Sequence, residues 1–212
     1  MINLFIQSIQ ETLLMVFIST LAGIFLGIPL SVLLYTTDRY GFFHNPFLNK
    51  TVGFIVNVIR STPYIILIIA LVPVTRFIVG SAIGTLAASV SLSVASIMLV
   101  CRMGEEAFRT VPTGLIEAAQ SMGATPLQII SKVIIPESLP NLIAGFTLIV
   151  INLIGFSAMA GAVGGGGLGD LAIRYGYQHY NYEVLSYAIV ILILLVQIIQ
   201  TTGDYLIKKL RK

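Results

Sequence analysis

Side chains that could catalyse a reaction or hold a metal are sparse in this 212-residue chain, and they are scattered. Its single cysteine, Cys101, excludes an internal disulfide and a cysteine-rich metal site, and we interpret it as a packing residue. Its two histidines, His44 and His179, are predicted to lie in loops on opposite sides of a membrane. The chain also lacks the G-x-x-x-x-G-K-[ST] loop that cradles ATP phosphates. We therefore expect no catalytic, cofactor-binding or metal-binding residues on this chain.

The polar residues instead concentrate in residues 115–140, between long apolar segments. This stretch predicts two short helices, the first capped by Thr113 and ended by Gly123 in a left-handed conformation. The second begins with a capping box of Thr125 and Gln128, and Pro136 is expected to end it. One face of the first helix is predicted to carry Leu115, Ile116, Ala119 and Met122. Because helices of about ten residues do not persist alone in water, another protein is expected to dock against them.

The composition indicates a membrane protein. Hydrophobic residues make up 57% of the chain and charged residues only 10%, against about 25% in soluble domains. Segments of roughly 20 apolar residues span a bilayer, and five qualify: 9–35, 52–79, 82–100, 139–159 and 184–202. We predict an all-α, polytopic fold of five transmembrane helices over 9–200, a cytoplasmic loop over 101–138 and a basic tail over 203–212. Dividing the first segment into two spans stays an alternative, and Pro63 and Pro73 are expected to kink the second.

The basic residues predict the orientation. If the C-terminus is cytoplasmic, ten of the twelve basic residues lie inside or at the inner boundary: Arg39, Lys50, Arg60, Arg102, Arg109, Lys132, Lys208, Lys209, Arg211 and Lys212. Only Arg76 and Arg174 are then outside, which is a strong positive-inside bias. We therefore expect the N-terminus outside and the polar stretch in the cytoplasm. The net charge of +3 requires no nucleic acid, and the basic tail is expected to meet anionic lipid headgroups.

The polar stretch resembles the E-A-A…G…I-x-L-P signature of ABC importer permeases. Glu117, Ala118 and Ala119 stand for the E-A-A, Gly123 for the glycine and Pro136 for the proline, with Ile135 in place of the usual leucine. Arg60-Ser61-Thr62-Pro63-Tyr64 resembles the R-S-x-P-[FY] of amino-acid importers. The region 116–140 and the glycine-rich stretch 155–169 resemble the permease of methionine-type importers.

This resemblance implies a type I ABC importer permease fold in a bacterial inner membrane, with Glu117, Ala118, Ala119, Gly123 and Pro136 coupling it to an ATPase. It also implies a permease homodimer, two cytoplasmic ATPase subunits that carry ATP and Mg²⁺, and an extracytoplasmic substrate-binding lipoprotein. The expected function is ATP-driven import of D- or L-methionine, so the chain itself is not an enzyme. The absence of a charged residue near the middle of any predicted span fits an external energy source.

The glycine-rich stretch admits several interpretations. Gly164, Gly166 and Gly169 fit G-x-G-x-x-G, but without a βαβ unit we reject a dinucleotide site. A flexible linker is one alternative, and a tight re-entrant turn near the dimer axis is the favoured one. Its candidate pathway or gate residues are Ser157, Met159, Gly161 and Gly164, with plain packing an equal alternative for Met159.

Three functions remain open. The first is the methionine permease, and the second is an ABC permease for another amino acid or a phosphonate, which the E-A-A stretch fits equally well. The third, an intramembrane enzyme, would need a nucleophile with a base, or a metal cluster, at one depth of the bilayer. The loop positions expected for both histidines weigh against it.

Overall fold

The computed structural model describes residues 1–39 and 41–210. Within them the chain is helical and contains no β-strand. Four helices are long and apolar enough to cross a membrane: Ile2–Thr37, Thr85–Arg109, Pro126–Ala162 and Tyr182–Leu210. A fifth span is possible if the bent pair Pro46–Ser61 and Tyr64–Ala70 is counted as one. The all-α membrane architecture is therefore confirmed.

The first span is one continuous helix, as the sequence analysis predicted, and it is not divided into two spans. It comprises α1 (Ile2–Ala22), a wider π-helical turn (Gly23–Gly27) and α2 (Ile28–Thr37). Pro29 lies in the first turn of α2, so the π turn precedes the residue that lacks an amide hydrogen. Such a turn lets a proline enter a long helix without breaking it.

The segment predicted as the second span is divided. Helix α3 (Pro46–Ser61) begins with Asn45 as its cap, six residues before the predicted span. Helix α4 (Tyr64–Ala70) then leaves at 109°, and α5 (Val72–Val79) follows after Leu71. Pro63 lies in the break because the residue before a proline is driven out of the helical region, and Thr62 has φ −77° and ψ 125°. Pro73 lies in the first turn of α5, where a proline costs no hydrogen bond.

Helix α6 (Thr85–Arg109) is the centre of the molecule. It packs against α1, α2, α3 and α9, and it extends nine residues beyond the predicted end of the third span. Its contact face consists of small residues, among them Ala88, Ser91, Ala95 and Ser96, which are all buried. A helix with small side chains on several faces lets its neighbours approach closely, which explains its central position.

The expected end of the second short helix at Pro136 is wrong. Helix α8 (Pro126–Ile129) runs through a π turn (Ile130–Ile134) into α9 (Ile135–Ala162), so one helix extends from the polar stretch through the segment predicted as the fourth span. Pro136 lies in the first turn of α9, directly after the π turn, and Pro140 lies inside the helix. The rule that a proline ends a helix fails here because the π turn rearranges the backbone hydrogen bonds that the proline ring would otherwise break.

The chain closes with α10 (Gly167–Leu171), a π-helical segment (Ala172–Gln178) and α11 (Tyr182–Leu210). Residues 203–210, expected as part of a tail, continue the last helix. Gly203 is buried, and a Cβ there would collide with the side chain of Thr147 on α9. Arg211 and Lys212 lie outside the described residues.

Candidate functional site

The helix pair predicted from the polar stretch consists of α7 (Thr113–Ser121) and α8. The predicted cap Thr113 is wrong: Pro112 precedes the helix, Thr113 is already helical, and no side chain caps this end. Gly123 has φ +79° as predicted, and the amides of Gly123 and Ala124 donate to the carbonyls of Gln120 (2.9 Å) and Ala119 (3.1 Å). This left-handed turn sets the angle between α7 and α8.

The start of α8 follows the sequence prediction. The amide of Gln128 donates to Thr125 Oγ1 at 3.4 Å, and the amide of Thr125 donates to Gln128 Oε1 at 2.9 Å. Pro126 occupies the first turn, where its missing amide hydrogen costs nothing. The capping box and the proline together fix where the second helix of the pair begins.

The predicted apolar face of α7 is divided by the fold. Ala119 is buried and Ile116 half-buried in a cluster with Phe108, Ile129 and Ile134. Leu115 and Met122 are 43% and 82% exposed, so only part of the predicted apolar face packs against the rest of the described chain. The apolar face of α7 is therefore wider than the part of it that packs against the rest of the chain. Leu127 on α8 is 73% exposed, and we refer to the exposed apolar side chains of Leu115, Met122 and Leu127 together as the docking surface.

The signature residues have different environments in this pair. Glu117 and Ala118 are exposed on α7, Ala119 is buried, and Pro136 is exposed where α9 begins. The carbonyl of Glu117 accepts a hydrogen bond from Ser121 Oγ at 2.9 Å. The structure thus brings Glu117, Ala118 and Gly123 to one exposed element, whereas Ala119 anchors that element to the protein.

An ion-pair cluster lies behind α7 that sequence reasoning missed. Arg109 donates to Asp38 Oδ2 (2.7 Å) and to Glu105 Oε1 (2.8 Å), and Arg102 donates to Glu105 Oε2 (2.6 Å). A hydrogen bond from the backbone amide of Arg39 and the guanidinium of Arg109 lower the pKa of Asp38. Glu105 is buried and therefore depends on its two arginine partners. The spacings of Glu105 to Arg102 and to Arg109 on one helix could have predicted these two ion pairs. No pattern in the sequence relates Asp38 to Arg109.

The glycine-rich stretch forms a tight turn at the other end of α9. Gly164, Gly166 and Gly167 have φ values of +87°, +80° and +80°, which L side chains rarely adopt. The carbonyl of Gly164 accepts from the amide of Gly84 at 2.9 Å, which joins this turn to the start of α6. A Cβ on Gly161 would collide with the backbone of Asp170, so α10 packs directly against the end of α9.

Helix α1 holds this turn through two side chains that sequence reasoning did not connect with it. Glu11 Oε2 accepts from the amide of Gly167 at 2.7 Å, and Thr12 Oγ1 accepts from the amide of Leu168 at 2.9 Å. Leu168 itself is fully buried. Because the partners are 156 residues apart, no local pattern in the sequence could have revealed the contact.

The candidate gate residues are not equivalent. Ser157 is buried and donates to the carbonyl of Ile154 at 2.7 Å, so its hydroxyl is used within its own helix. Met159 is 47% exposed. In α10, which follows the glycine-rich turn, Asp170 accepts a hydrogen bond from Arg174 and raises the pKa of this arginine. Met159 is therefore the only one of these candidates with a long, exposed side chain.

The sequence analysis expects Arg60 at the inner membrane boundary. It is in the last turn of α3, beside Met98 and Leu99 in the middle of α6. Because α3 begins six residues before the predicted span, Arg60 lies about 9 Å further from the start of its helix than that prediction implies.

The metal-ligating residue types are dispersed in the part of the chain that the structure describes. It contains no group of three or more His, Cys, Asp or Glu residues that could hold a metal. His44 contacts the carbonyl of Asp38 at 3.2 Å, whereas His179 stacks on Tyr175 near the far end of the molecule.

Comparison with known proteins places these features in context. Residues 19–212 match the family described as "Binding-protein-dependent transport system inner membrane component". The chain is 50% identical over 207 residues to "Probable D-methionine transport system permease protein MetI" of Vibrio cholerae serotype O1, covering 98% of this chain and 92% of that protein. It is 46% identical over 172 residues to "Methionine import system permease protein MetP" of Bacillus subtilis, covering 81% and 78%.

Solved structures show the same fold. A chain from inward-facing conformations of the MetNI methionine ABC transporter superposes with a TM-score of 0.96 at 46% identity, covering 99% of this chain and 97% of that one. A chain of an amino acid ABC transporter with histidines superposes with a TM-score of 0.81 at 21% identity, covering 98% and 94%. The second similarity extends to the fold alone.

Proposed function

This chain belongs to the family of inner membrane components of binding-protein-dependent transport systems, and from that membership we propose that it is the translocation subunit of an ATP-driven methionine importer. The observation that carries the proposal is the similarity over nearly the whole chain to methionine permeases and to the MetNI transporter. In this role the chain itself is not an enzyme, because a separate subunit hydrolyses ATP.

We propose that two copies of this chain assemble with two cytoplasmic ATPase subunits, which bind ATP and Mg²⁺. The docking surface of Leu115, Met122 and Leu127 is the element that an ATPase would cover, because it is apolar, exposed and fixed in angle by Gly123. Glu117 lies on the same exposed helix and is available to polar groups of the partner. ATP-driven movement of that partner would then move α9 directly, since α8 and α9 form one helix.

On the outer side, we propose that a substrate-binding lipoprotein delivers methionine. Met159 would contact the substrate as the pathway opens, whereas Gly161 and Gly164 would maintain the tight turn that supports it. The orientation in this proposal is N-terminus outside and C-terminus cytoplasmic, which the basic residues near α11 support.

Uptake by a reconstituted complex tests this function. The chain is placed in proteoliposomes with its ATPase and binding protein, and uptake of labelled L- and D-methionine is measured with ATP and with ADP. We expect ATP-dependent uptake that excess unlabelled methionine abolishes. Uptake of a phosphonate or of another amino acid in preference to methionine would contradict the proposed substrate, and uptake without the ATPase would contradict the mechanism.

A further inference from the structure

The position of Arg60 along α3 indicates a depth near the middle of the membrane. In the first turns of α3, Asn49 Nδ2 donates to the carbonyl of Leu34 (2.7 Å) and to Thr37 Oγ1 (3.2 Å), which ties α3 to the inner end of the first span. Arg60 follows about 16 Å further along the same helix. The hydrocarbon core is about 30 Å thick, so this distance brings Arg60 close to its centre.

The guanidinium of Arg60 has no ion pair and no hydrogen bond with the described residues. The other arginines near α6 are paired: Arg102 and Arg109 both bind Glu105. An unpaired charge cannot face lipid at this depth without a large free-energy cost, and charged residues in membranes mark substrate pathways or water-filled cavities. Arg60 therefore has five hydrogen-bond donors available for a partner that enters from outside the chain.

A cavity lies directly at Arg60. Its walls include Thr62, Tyr64, Leu67, Ala95, Met98 and Phe156. Its volume is about 40 Å³, which is room for about three water molecules and therefore for a carboxylate group, but not for a whole amino acid. The cavity is open on one side, so the remainder of a larger molecule would extend out of it.

The aromatic wall of this cavity is held in place. Tyr64 stacks on Phe156 with ring centroids 4.7 Å apart, and its hydroxyl is hydrogen-bonded to Ser91 Oγ at 3.1 Å. The break at Pro63 places Tyr64 at the start of α4, next to the arginine at the end of α3. The arrangement combines one cation, two aromatic rings and apolar side chains, which suits a small molecule with a carboxylate and an apolar side chain.

We propose that Arg60 binds the carboxylate of the transported amino acid as the substrate passes the middle of the membrane, an inference that rests on the proposed function. Arginine binds carboxylates through two parallel hydrogen bonds, so the site selects a carboxylate and orients the substrate. The aromatic wall then contacts the thioether side chain, with which aromatic rings interact favourably.

Equilibrium binding to the assembled complex tests the assignment. The permease–ATPase complex is placed in lipid nanodiscs without binding protein, and binding of labelled methionine is competed with unlabelled methionine and with methioninol, which lacks the carboxylate. The wild-type complex should prefer methionine by about tenfold or more, the effect expected of one hydrogen bond to a charged group. Arg60→Met should abolish this preference, and Arg60→Lys should retain part of it.

The control variant is Arg76→Met, which removes an exposed arginine from α5 that does not line the cavity. It should keep the preference of the wild-type complex. A role for Arg60 limited to stabilising the end of α3 would change assembly or the affinities for methionine and methioninol alike, and would leave their ratio unchanged. An unchanged ratio in Arg60→Met would therefore overturn the assignment, whereas a wild-type complex that binds and transports no amino acid would overturn the proposed function itself.

Discussion

Glu11 is the side chain on which the glycine-rich turn most directly depends, because its carboxylate accepts a hydrogen bond from the Gly167 amide at 2.7 Å. This amide begins α10 and has no helical partner of its own. We expect Glu11→Ala to leave it unsatisfied and to cost about 1–3 kcal/mol locally. Hydrogen exchange at Gly167 and Leu168 should accelerate, and it should accelerate less in Glu11→Gln, which keeps an acceptor oxygen. Equal exchange in wild type and Glu11→Ala would show that the contact does not hold the turn.

A substitution at Gly123 tests the role of α7 and α8 because it changes only the conformation of the turn between them. Its φ is +79°, and no atom lies within 4 Å of the position of a Cβ, so a side chain meets no steric obstacle beyond its own backbone. Gly123→Val should strain the turn by about 1–2 kcal/mol, and Gly123→Asn by less, because asparagine tolerates the left-handed region.

Uptake and retention of the ATPase, measured in membranes with equal amounts of each chain, should fall in Gly123→Val and stay closer to normal in Gly123→Asn. Glu117→Ala should act in the same direction as Gly123→Val, more weakly, because it removes one polar contact and leaves the turn intact. Normal uptake and normal ATPase retention in Gly123→Val would mean that α7 and α8 do not couple the two proteins.

At the scale of helices, the close packing of the π turn Gly23–Gly27 against α6 offers a compensation experiment. A Cβ on Gly23 would collide with Ser96 Oγ, a buried hydroxyl for which the described residues offer no hydrogen-bond partner. Gly23→Ala should destabilise the protein by about 1–3 kcal/mol through overpacking, and Ser96→Ala alone should change little. The double variant should recover most of the lost stability, because Ser96→Ala removes the colliding atom. Thermal unfolding in detergent measures this, and additive losses in the double variant would contradict the packing.

For the molecule as a whole, the orientation of the termini is the first question for experiment. A reporter that is active only in the cytoplasm should be active when fused after Lys212. The same reporter inserted after Gly80, in the turn between α5 and α6, should be inactive, because that turn is predicted to lie outside. The reverse pattern would overturn the orientation.

The proposed assembly has its own test. The chain should purify as a dimer together with an ATPase, and Met122→Glu should release the ATPase while the permease dimer persists, since Met122 lies on the docking surface. Burying a carboxylate in an apolar contact without a partner is unfavourable. A monomeric chain that transports methionine by itself would exclude this assembly.

The amino-acid sequence by itself determined the class of the protein and the local chemistry of its ends. Apolar segments of bilayer length are readable because lipid forces the backbone to satisfy its hydrogen bonds within each helix. The left-handed Gly123 and the Thr125–Gln128 capping box are equally local, since each depends on residues at most a few positions apart.

Only the tertiary structure decided the contacts between distant segments. The Glu11–Gly167 hydrogen bond and the pairing of Asp38 with Arg109 join residues that no periodicity relates. The 109° bend at Pro63 and the unbroken helix through Pro136 show that the same residue type ends one helix and continues another. The outcome depends on whether the neighbouring turn can rearrange its hydrogen bonds, and on which packing surfaces the resulting helix meets.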